Sequence, residues 1–306
     1  MDQRRDRRKG ITRLAFAVPL LALCVACGGS GGGGDDDGFE PPGDLDSVTP
    51  DAITAAANSY PGQFAADLLR ATHFTSILIE VDHPASRPPD ADALALLEQR
   101  FAQRCDKPGG VVAVVDDAIP DAAFPDVSSI DDLDDLVGTW RDEWPETSSG
   151  VQAIYVLYTL GLSDLGDGPE QVIGLSWHGG TMAVFTEVVD DDVSAFVTAA
   201  EVEGSVLVHE GGHLLGLVNS GVPMVDDHED DDHPAHDEDE DCVMYWLLQV
   251  PVVAPNLGDP DFAVFDHQCA RDTEAFGGLP APLPLRRSSA PPGERVTVGV
   301  CPTCRR

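Results

Sequence analysis

The apolar residues of this chain recur with two different spacings, and each spacing predicts a type of secondary structure. Short apolar runs rich in β-branched and aromatic residues predict strands at residues 73–81, 111–115 and 151–160. Apolar residues at helical spacing predict helices at residues 61–71, 90–104 and 129–144. The run at 111–115 is entirely apolar, so we expect that strand to be buried. Since strands and helices alternate, we expect a sheet covered by helices.

A second group of elements completes the predicted fold. Residues 171–177 and 181–188 are two further strand candidates, and the Gly-Gly pair between them predicts a hairpin. Residues 192–218 follow as a helix with an interruption near Gly204. The whole order predicts an α+β fold, a mixed sheet flanked by helices. Beyond Leu248 the periodic signals weaken.

The first residues have the pattern of an export signal. Basic residues crowd the first thirteen positions, and the apolar run from Leu14 to Ala26 is too short to span a membrane stably. The run ends in Ala26-Cys27-Gly28, which resembles the lipobox of bacterial lipoproteins. That resemblance implies a lipid anchor on Cys27 and attachment to a bacterial outer membrane, facing the periplasm or the exterior. The alternative is an ordinary secretory signal, and both alternatives export the protein.

Composition divides the chain into four parts. Residues 1–27 are the expected signal peptide, and residues 28–47 form a flexible linker rich in Gly and Asp. Residues 48–277 have the length and apolar content of one folded domain. Residues 278–306 are rich in Pro and end in a CxxC motif.

The chain is strongly acidic, with a formal net charge of -36. This charge argues against nucleic acid or an anionic membrane surface as a partner. Eleven acidic residues lie between Asp226 and Asp241. Three interpretations of this segment stay open: a solvated loop, a calcium site built from carboxylates, or a negative rim that selects basic substrates.

The segment Val208 to Leu217, VHEGGHLLGL, contains the candidate catalytic chemistry. His209 and His213 are four residues apart, so on a helix they share one face and can bind one metal ion. A catalytic zinc takes three protein ligands and keeps a fourth position open for water. Glu210 can accept the proton of that water and pass it to the leaving amine. The glycines at 211 and 212 each cost a helix about 1 kcal/mol relative to Ala, which indicates a functional need for space.

At these residues the chain resembles the metzincin family of zinc proteases, whose signature extends HExxH with a Gly three residues later. Gly216 occupies that place, where it lets the chain leave the helix sharply. Metzincins usually have His or Asp three residues after this Gly, whereas this chain has Asn219. Because a neutral amide is a weak zinc ligand, we expect the third ligand further along the chain.

The segment from His236 to Met244 resembles the archaemetzincin branch, in which the third zinc His is the first residue of the pattern H-x5-C-x-M. The resemblance implies His236 as third zinc ligand and Met244 as the residue of the Met-turn; the alternates for the third ligand are His228 and Asn219. The family architecture also implies an edge strand just before the zinc helix that pairs with an extended peptide, and we assign it to residues 181–188.

Five cysteines remain after the predicted signal peptide: Cys105, Cys242, Cys269, Cys301 and Cys304. In an exported protein the default for cysteines is disulfide bonding. Archaemetzincins also hold a second zinc with four Cys, so the alternative is a structural zinc site that includes Cys242, Cys301 and Cys304 with Asp237 or Cys269. Here Asp237 stands where that family has the first Cys.

These patterns predict a zinc-dependent endopeptidase that hydrolyses peptide bonds of extracytoplasmic proteins through a zinc-bound water and Glu210 as general base. Its partners would be protein or peptide substrates and, through the lipid, a membrane. Two alternatives stay open: a non-catalytic metal-binding lipoprotein, and an interaction module whose protease site has decayed. The second is kept open by the departures at Asn219 and Asp237.

Overall fold

The structure is a computed structural model that describes residues 59–125, 127–160, 172–192, 198–246 and 262–280. The predicted signal peptide with Cys27, the linker, and the tail with Cys301 and Cys304 lie outside the described residues. Within the described ranges, no helix is both long enough and apolar enough to cross a membrane.

A five-stranded mixed sheet forms the centre of the fold. Its strands are β1 (Ser76–Pro84), β2 (Val111–Ile119), β3 (Val151–Thr159), β4 (Gly174–His178) and β5 (Thr181–Phe185). The order across the sheet is β2-β1-β3-β5-β4. The first four strands in this order pair in parallel, and β4 pairs antiparallel with β5. The predicted hairpin is therefore present, and it places the one antiparallel strand at an edge.

Six helices of the described residues flank this sheet. They are α1 (Ala65–Leu69), α2 (Ala91–Arg104), α3 (Ile130–Trp140), α4 (Thr186–Asp192), α5 (Ala199–Leu214) and α6 (His267–Ala275), and a short 3-10 helix spans Asp121–Ala123. The predicted mixed sheet flanked by helices is thus confirmed within the described residues.

Side chains at the first turns explain where two of the long helices begin. The Ser129 hydroxyl accepts from the backbone N–H of Asp132, whose carboxylate accepts from the Ser129 N–H in return. Thr198 and Glu201 form the same reciprocal pair at the start of α5. Such pairs satisfy backbone donors that the first helical turn leaves without partners.

The sheet separates two apolar cores. On one face, Ile154, Val156 and Tyr158 of β3 pack with the cluster that includes α2 and α5. On the other face, Tyr155 and Leu157 pack with the cluster that includes α3. Alternate residues of a strand point to opposite faces, so a fully buried central strand must be apolar on both sides.

Strand β2 departs from the prediction. It is longer than residues 111–115, and Val112, Val114 and Val115 are exposed rather than buried. The reason is its position at the edge of the sheet, where one face has helix α2 against it and the other has little cover. An apolar run alone does not distinguish a central strand from an edge strand.

The helix predicted over residues 192–218 is also corrected. A separate helix, α4, begins directly after β5 at Thr186, and α5 starts only at Ala199. Gly204 does not interrupt α5, and the helix ends at Leu214. Helix α6 was not predicted, because only a short stretch of its sequence is apolar and its buried side faces the loops around the site described next.

Candidate functional site

Helix α5 brings His209 and His213 to the same place as His236. Their rings are 4.9 to 5.3 Å apart between centroids. One nitrogen from each ring lies within 4.8 Å of the others. The spacing of four residues explains the first pair, since it corresponds to about one helical turn. The third His comes from a loop that returns to the helix twenty-three residues later.

Backbone carbonyls orient two of these rings. Nδ1 of His209 lies 2.7 Å from the carbonyl oxygen of Val243, and Nδ1 of His236 lies 3.0 Å from that of Pro234. A carbonyl oxygen can only accept, so both Nδ1 atoms carry the proton. The lone pair is then on Nε2, which is the arrangement that metal-binding imidazoles use.

All three imidazoles are held in the neutral form. Burial lowers the pKa of His209 to about 4, with the nearby His236 as a second cause. Burial likewise lowers the pKa of His213 well below its usual value, and lowers that of His236. Metal binding requires neutral imidazole, so no proton has to be removed at neutral pH. Three imidazoles with a carboxylate beside them fit a divalent metal such as zinc.

Gly216 turns the chain out of α5. It has φ +75°, and the N–H groups of Gly216 and Leu217 bond to the carbonyls of His213 and Gly212. This is a Schellman end, which needs a left-handed residue just past the helix. Asn219, also at positive φ, then points to Glu229, with 3.4 Å between Nδ2 and Oε2. Asn219 is therefore not part of the three-histidine cluster.

Two isolated β-bridges bring the loop that follows α5 back to that helix. Asp237 pairs with Glu229 on one side and with Tyr245 on the other. The Asp237 N–H donates to the Met244 carbonyl at 2.9 Å. These contacts hold His236 next to the segment that contains Met244.

Met244 lies beneath α5 and is fully buried. A Cβ at Gly212 would lie 2.2 Å from its sulfur, which no real contact allows. The preceding residue, Val243, supplies the carbonyl that orients His209. The absence of a side chain at Gly212 thus permits the close approach that supports a histidine of the cluster.

Glu210 is buried beside the histidines. The Ser176 hydroxyl lies 2.9 Å from Oε2 of Glu210. Burial raises the pKa of Glu210 to about 7, and the hydrogen bond from Ser176 opposes this shift. A carboxyl that titrates near neutral pH can both take and return a proton, as a general base and acid must.

The edge strand beside this site is β4, not residues 181–188 as expected. Strand β5 (Thr181–Phe185) has partners on both sides, so its backbone groups are occupied. Residues from Thr186 onward belong to α4. Among the described strands the edge on this side of the sheet is β4, which contains Ser176, so of these strands β4 is the one that can pair with an added strand there.

A second group of potential ligands lies behind the Met244 segment. Asp237, Cys242, Asp266 and Cys269 place their ligand atoms within 4.8 Å of one another. The two sulfurs are 3.8 Å apart, and Cys269 Sγ lies 3.5 Å from Asp237 Oδ2. Two sulfurs about 2.3 Å from a tetrahedral zinc would be about 3.8 Å apart, and a sulfur and an oxygen about 3.5 Å. The donor set and its spacing fit zinc.

Cys105, Cys242 and Cys269 are free thiols. The expectation of disulfide bonds is therefore wrong among these three residues; the sulfurs of Cys242 and Cys269, for example, are 3.8 Å apart, far beyond a bonded distance of about 2.05 Å. Asp266 was missed by sequence reasoning. Its position three residues before Cys269 was the available signal, and it also caps α6 by accepting the Cys269 N–H.

His228 lies beside this second group rather than among the three histidines. Its Nε2 is 4.0 Å from Cys269 Sγ and 3.4 Å from Asp272 Oδ2. Its Nδ1 is buried without a hydrogen-bond partner. Five acidic residues around it line a polar depression: Asp227, Glu229, Asp230, Asp231 and Glu238. Calcium binding by this acidic segment stays a prediction.

Comparison with known proteins finds solved structures with partial similarity to this chain. No protein-family model and no curated protein matches the sequence. The archaemetzincin of Methanopyrus kandleri is similar over 67% of this chain and 96% of its own, with 14% identity and a TM-score of 0.43. A zinc-dependent peptidase from Methanocorpusculum labreanum is similar over 64% of this chain and 99% of its own, with 15% identity and a TM-score of 0.38.

Proposed function

We propose that this chain is a zinc-dependent endopeptidase in which His209, His213 and His236 hold the catalytic metal. The observation that carries the proposal is the convergence of three neutral imidazoles, two of them oriented by backbone carbonyls, next to Glu210 in sequence, a buried carboxyl of raised pKa. Perturbed titratable groups that share one site with metal-binding side chains are a feature of catalytic centres.

The proposed mechanism assigns a separate role to the metal, to Glu210 and to strand β4. Zinc, when bound, would polarise the scissile carbonyl and lower the pKa of water. Glu210 takes the proton from the attacking water and delivers it to the amine that leaves. The free edge of β4 pairs with an extended peptide and aligns it along the site.

The same proposal includes export and anchoring through lipid on Cys27. It is supported by the signal-like pattern before Cys27 and by the spacer after it. Substrates would then be proteins outside the cytoplasm, and the net charge of -36 argues against nucleic acid as a partner.

A structural zinc at the group Asp237, Cys242, Asp266 and Cys269 belongs to the proposal as well. Asp237 would connect the two sites, because it directly follows His236 and bonds to Met244. Such a metal would tie α6 to the loop that contains His236. It would therefore stabilise the position of the third catalytic ligand without touching substrate.

Zinc content and hydrolysis test the catalytic site together. The purified protein is expected to hold zinc that is detected by mass spectrometry, and to cleave fluorescein-labelled casein. The variants His209→Ala and His236→Ala should each lose one zinc and all cleavage activity, because two imidazoles bind zinc far more weakly than three. Asn219→Ala is the matched control, and it should retain both zinc and activity.

Each other result has a defined meaning. Zinc that is lost in His209→Ala but kept in His236→Ala would overturn the assignment of the third ligand. Zinc that is present without any cleavage would favour a non-catalytic metal-binding protein. The absence of tightly held zinc would contradict the proposal as a whole.

The second site predicts a second zinc equivalent. Cys269→Ser should lower the zinc content from two to one per chain and lower the thermal midpoint, because a serine hydroxyl is a poor zinc ligand. The remaining zinc should still be lost on His209→Ala. Cys105→Ser is the control, since Cys105 is buried but belongs to neither group. A content of one zinc in both the parent and Cys269→Ser would contradict the second site.

A further inference from the structure

The carboxyl of Glu210 lies against two positions of the edge strand β4. Ser176 Oγ is 2.9 Å from Oε2. A Cβ at Gly174 would lie 3.0 Å from Oε1, 3.1 Å from Cγ of Glu210 and 2.5 Å from a methyl of Val206. Residues 174 and 176 are two apart on one strand, so they face the same side. Together they form a seat for the carboxyl, in which one position supplies space and the other a donor.

The Ser176 hydroxyl also reaches the main chain of Glu210. It lies 2.9 Å from the Glu210 carbonyl oxygen as well as 2.9 Å from Oε2. A hydroxyl has one proton, which it shares between these two acceptors. Because the Ser176 hydroxyl contacts both the main-chain carbonyl and the carboxylate of Glu210, it restricts rotation of the Glu210 side chain. Within the described part of the chain, Oε1 receives no hydrogen bond, and it lies beside Gly174, the position of the seat that has no side chain.

We propose that Ser176 is a positioning residue for the hydrolysis: its hydroxyl holds Oε2 of Glu210 and presents Oε1 to the attacking water. The inference rests on the proposed function and deepens it. Ser176 is placed by β4, the strand that would also pair with substrate. One strand then aligns both the peptide and the base, so the distance between them is set by a single element.

Kinetics with labelled casein test whether Ser176 positions Glu210 or only fills space beside it. Ser176→Ala is expected to lower kcat by about 10- to 100-fold, a part of what general-base catalysis contributes, with KM within about twofold. Ser176→Thr keeps the hydroxyl and should recover kcat to within about threefold of the parent. Gly174→Ala keeps Ser176 but fills the seat, and should lower kcat by a similar factor. Ser205→Ala, which removes another buried hydroxyl from α5, should leave kcat unchanged.

Two further measurements do not depend on turnover. Zinc content should be equal in the parent, Ser176→Ala and Ser176→Thr, since none of the three histidines contacts Ser176 in the described hydrogen bonds. Crystal structures of the metal-free proteins should show the Glu210 carboxyl in one position in the parent and in Ser176→Thr. In Ser176→Ala the carboxyl should leave the seat or occupy several positions.

Three results would overturn the assignment. They are an unchanged kcat in Ser176→Ala, a Ser176→Thr variant as slow as Ser176→Ala, and a carboxyl that stays in place without the hydroxyl. If the parent holds zinc but cleaves nothing, the proposed function fails. In that case the crystal structures still decide whether Ser176 positions Glu210.

Discussion

Glu210→Gln is expected to lower kcat/KM for labelled casein by about 10²- to 10⁴-fold while zinc content stays the same. The amide has the shape of the carboxyl but cannot accept the proton of the attacking water. Its oxygen can still accept from the Ser176 hydroxyl, so the seat on β4 remains filled. The three histidines are untouched, which is why metal binding should persist. Casein hydrolysis and mass spectrometry of bound metal measure the two effects.

Glu201→Gln is the matched control for this change. Glu201 lies on the same helix, more than two turns earlier, and its carboxylate accepts from the N–H of Thr198. Glutamine supports the same capping arrangement, so folding and activity should be retained. If Glu210→Gln kept full activity, Glu210 would not be the base. If it lost zinc as well, the loss of activity would have to be assigned to the metal site.

Gly212→Ala is expected to destabilise the fold by about 1–3 kcal/mol, although Ala is the better helix former. Its methyl would lie 2.2 Å from the sulfur of Met244 and 2.9 Å from the ring of Phe265. Met244 would have to move, and Val243 with its carbonyl on His209 would move with it. Zinc affinity should therefore fall together with stability. Chemical unfolding and a zinc competition titration measure the two quantities.

Gly138→Ala is the control that separates the effect of the close contact at Gly212 from the higher helix propensity of Ala. Gly138 lies in α3, and apart from the backbone of that helix and the two neighbouring residues, no atom of the described residues is within 4 Å of the position its Cβ would take. That variant should be neutral or more stable by up to about 1 kcal/mol, with unchanged zinc affinity. A Gly212→Ala variant that behaved like Gly138→Ala would contradict the close approach of Met244 to the helix.

Local rules account for the parts of the fold that sequence reasoning predicted. Strands β1 and β3 and helices α2 and α3 were recognised because their apolar residues repeat at the spacing of one face. The placement of His209, Glu210 and His213 on a buried helix follows from the same rule, since the apolar neighbours Val208 and Leu214 must face a core. The end of α5 at Leu214 was placed too late, at residue 218, although the metzincin resemblance had implied a sharp exit at Gly216, whose positive φ suits a Schellman turn.

Long-range pairing accounts for the parts that sequence reasoning could not predict. The exposure of β2 and the free edge of β4 depend on the order of strands in the sheet, which no local pattern contains. Helix α6 has a narrow apolar side, and its burial depends on loops that are distant in sequence. The same holds for Ser176, whose role is visible only once β4 lies against α5.

For this protein, the sequence by itself determined the five strands, most of the helices and the first two histidines, because helix and strand periodicity are properties of neighbouring residues. The resemblance implied His236 as the third ligand, with His228 and Asn219 as alternates. Only the tertiary structure brings His236 to the pair and His228 to Cys269, and the pairings of Asp237 with Tyr245 and with Glu229 hold these segments together. A loop acquires its ligand position from contacts made after the chain has folded back, and those contacts leave no repeating signal in the sequence.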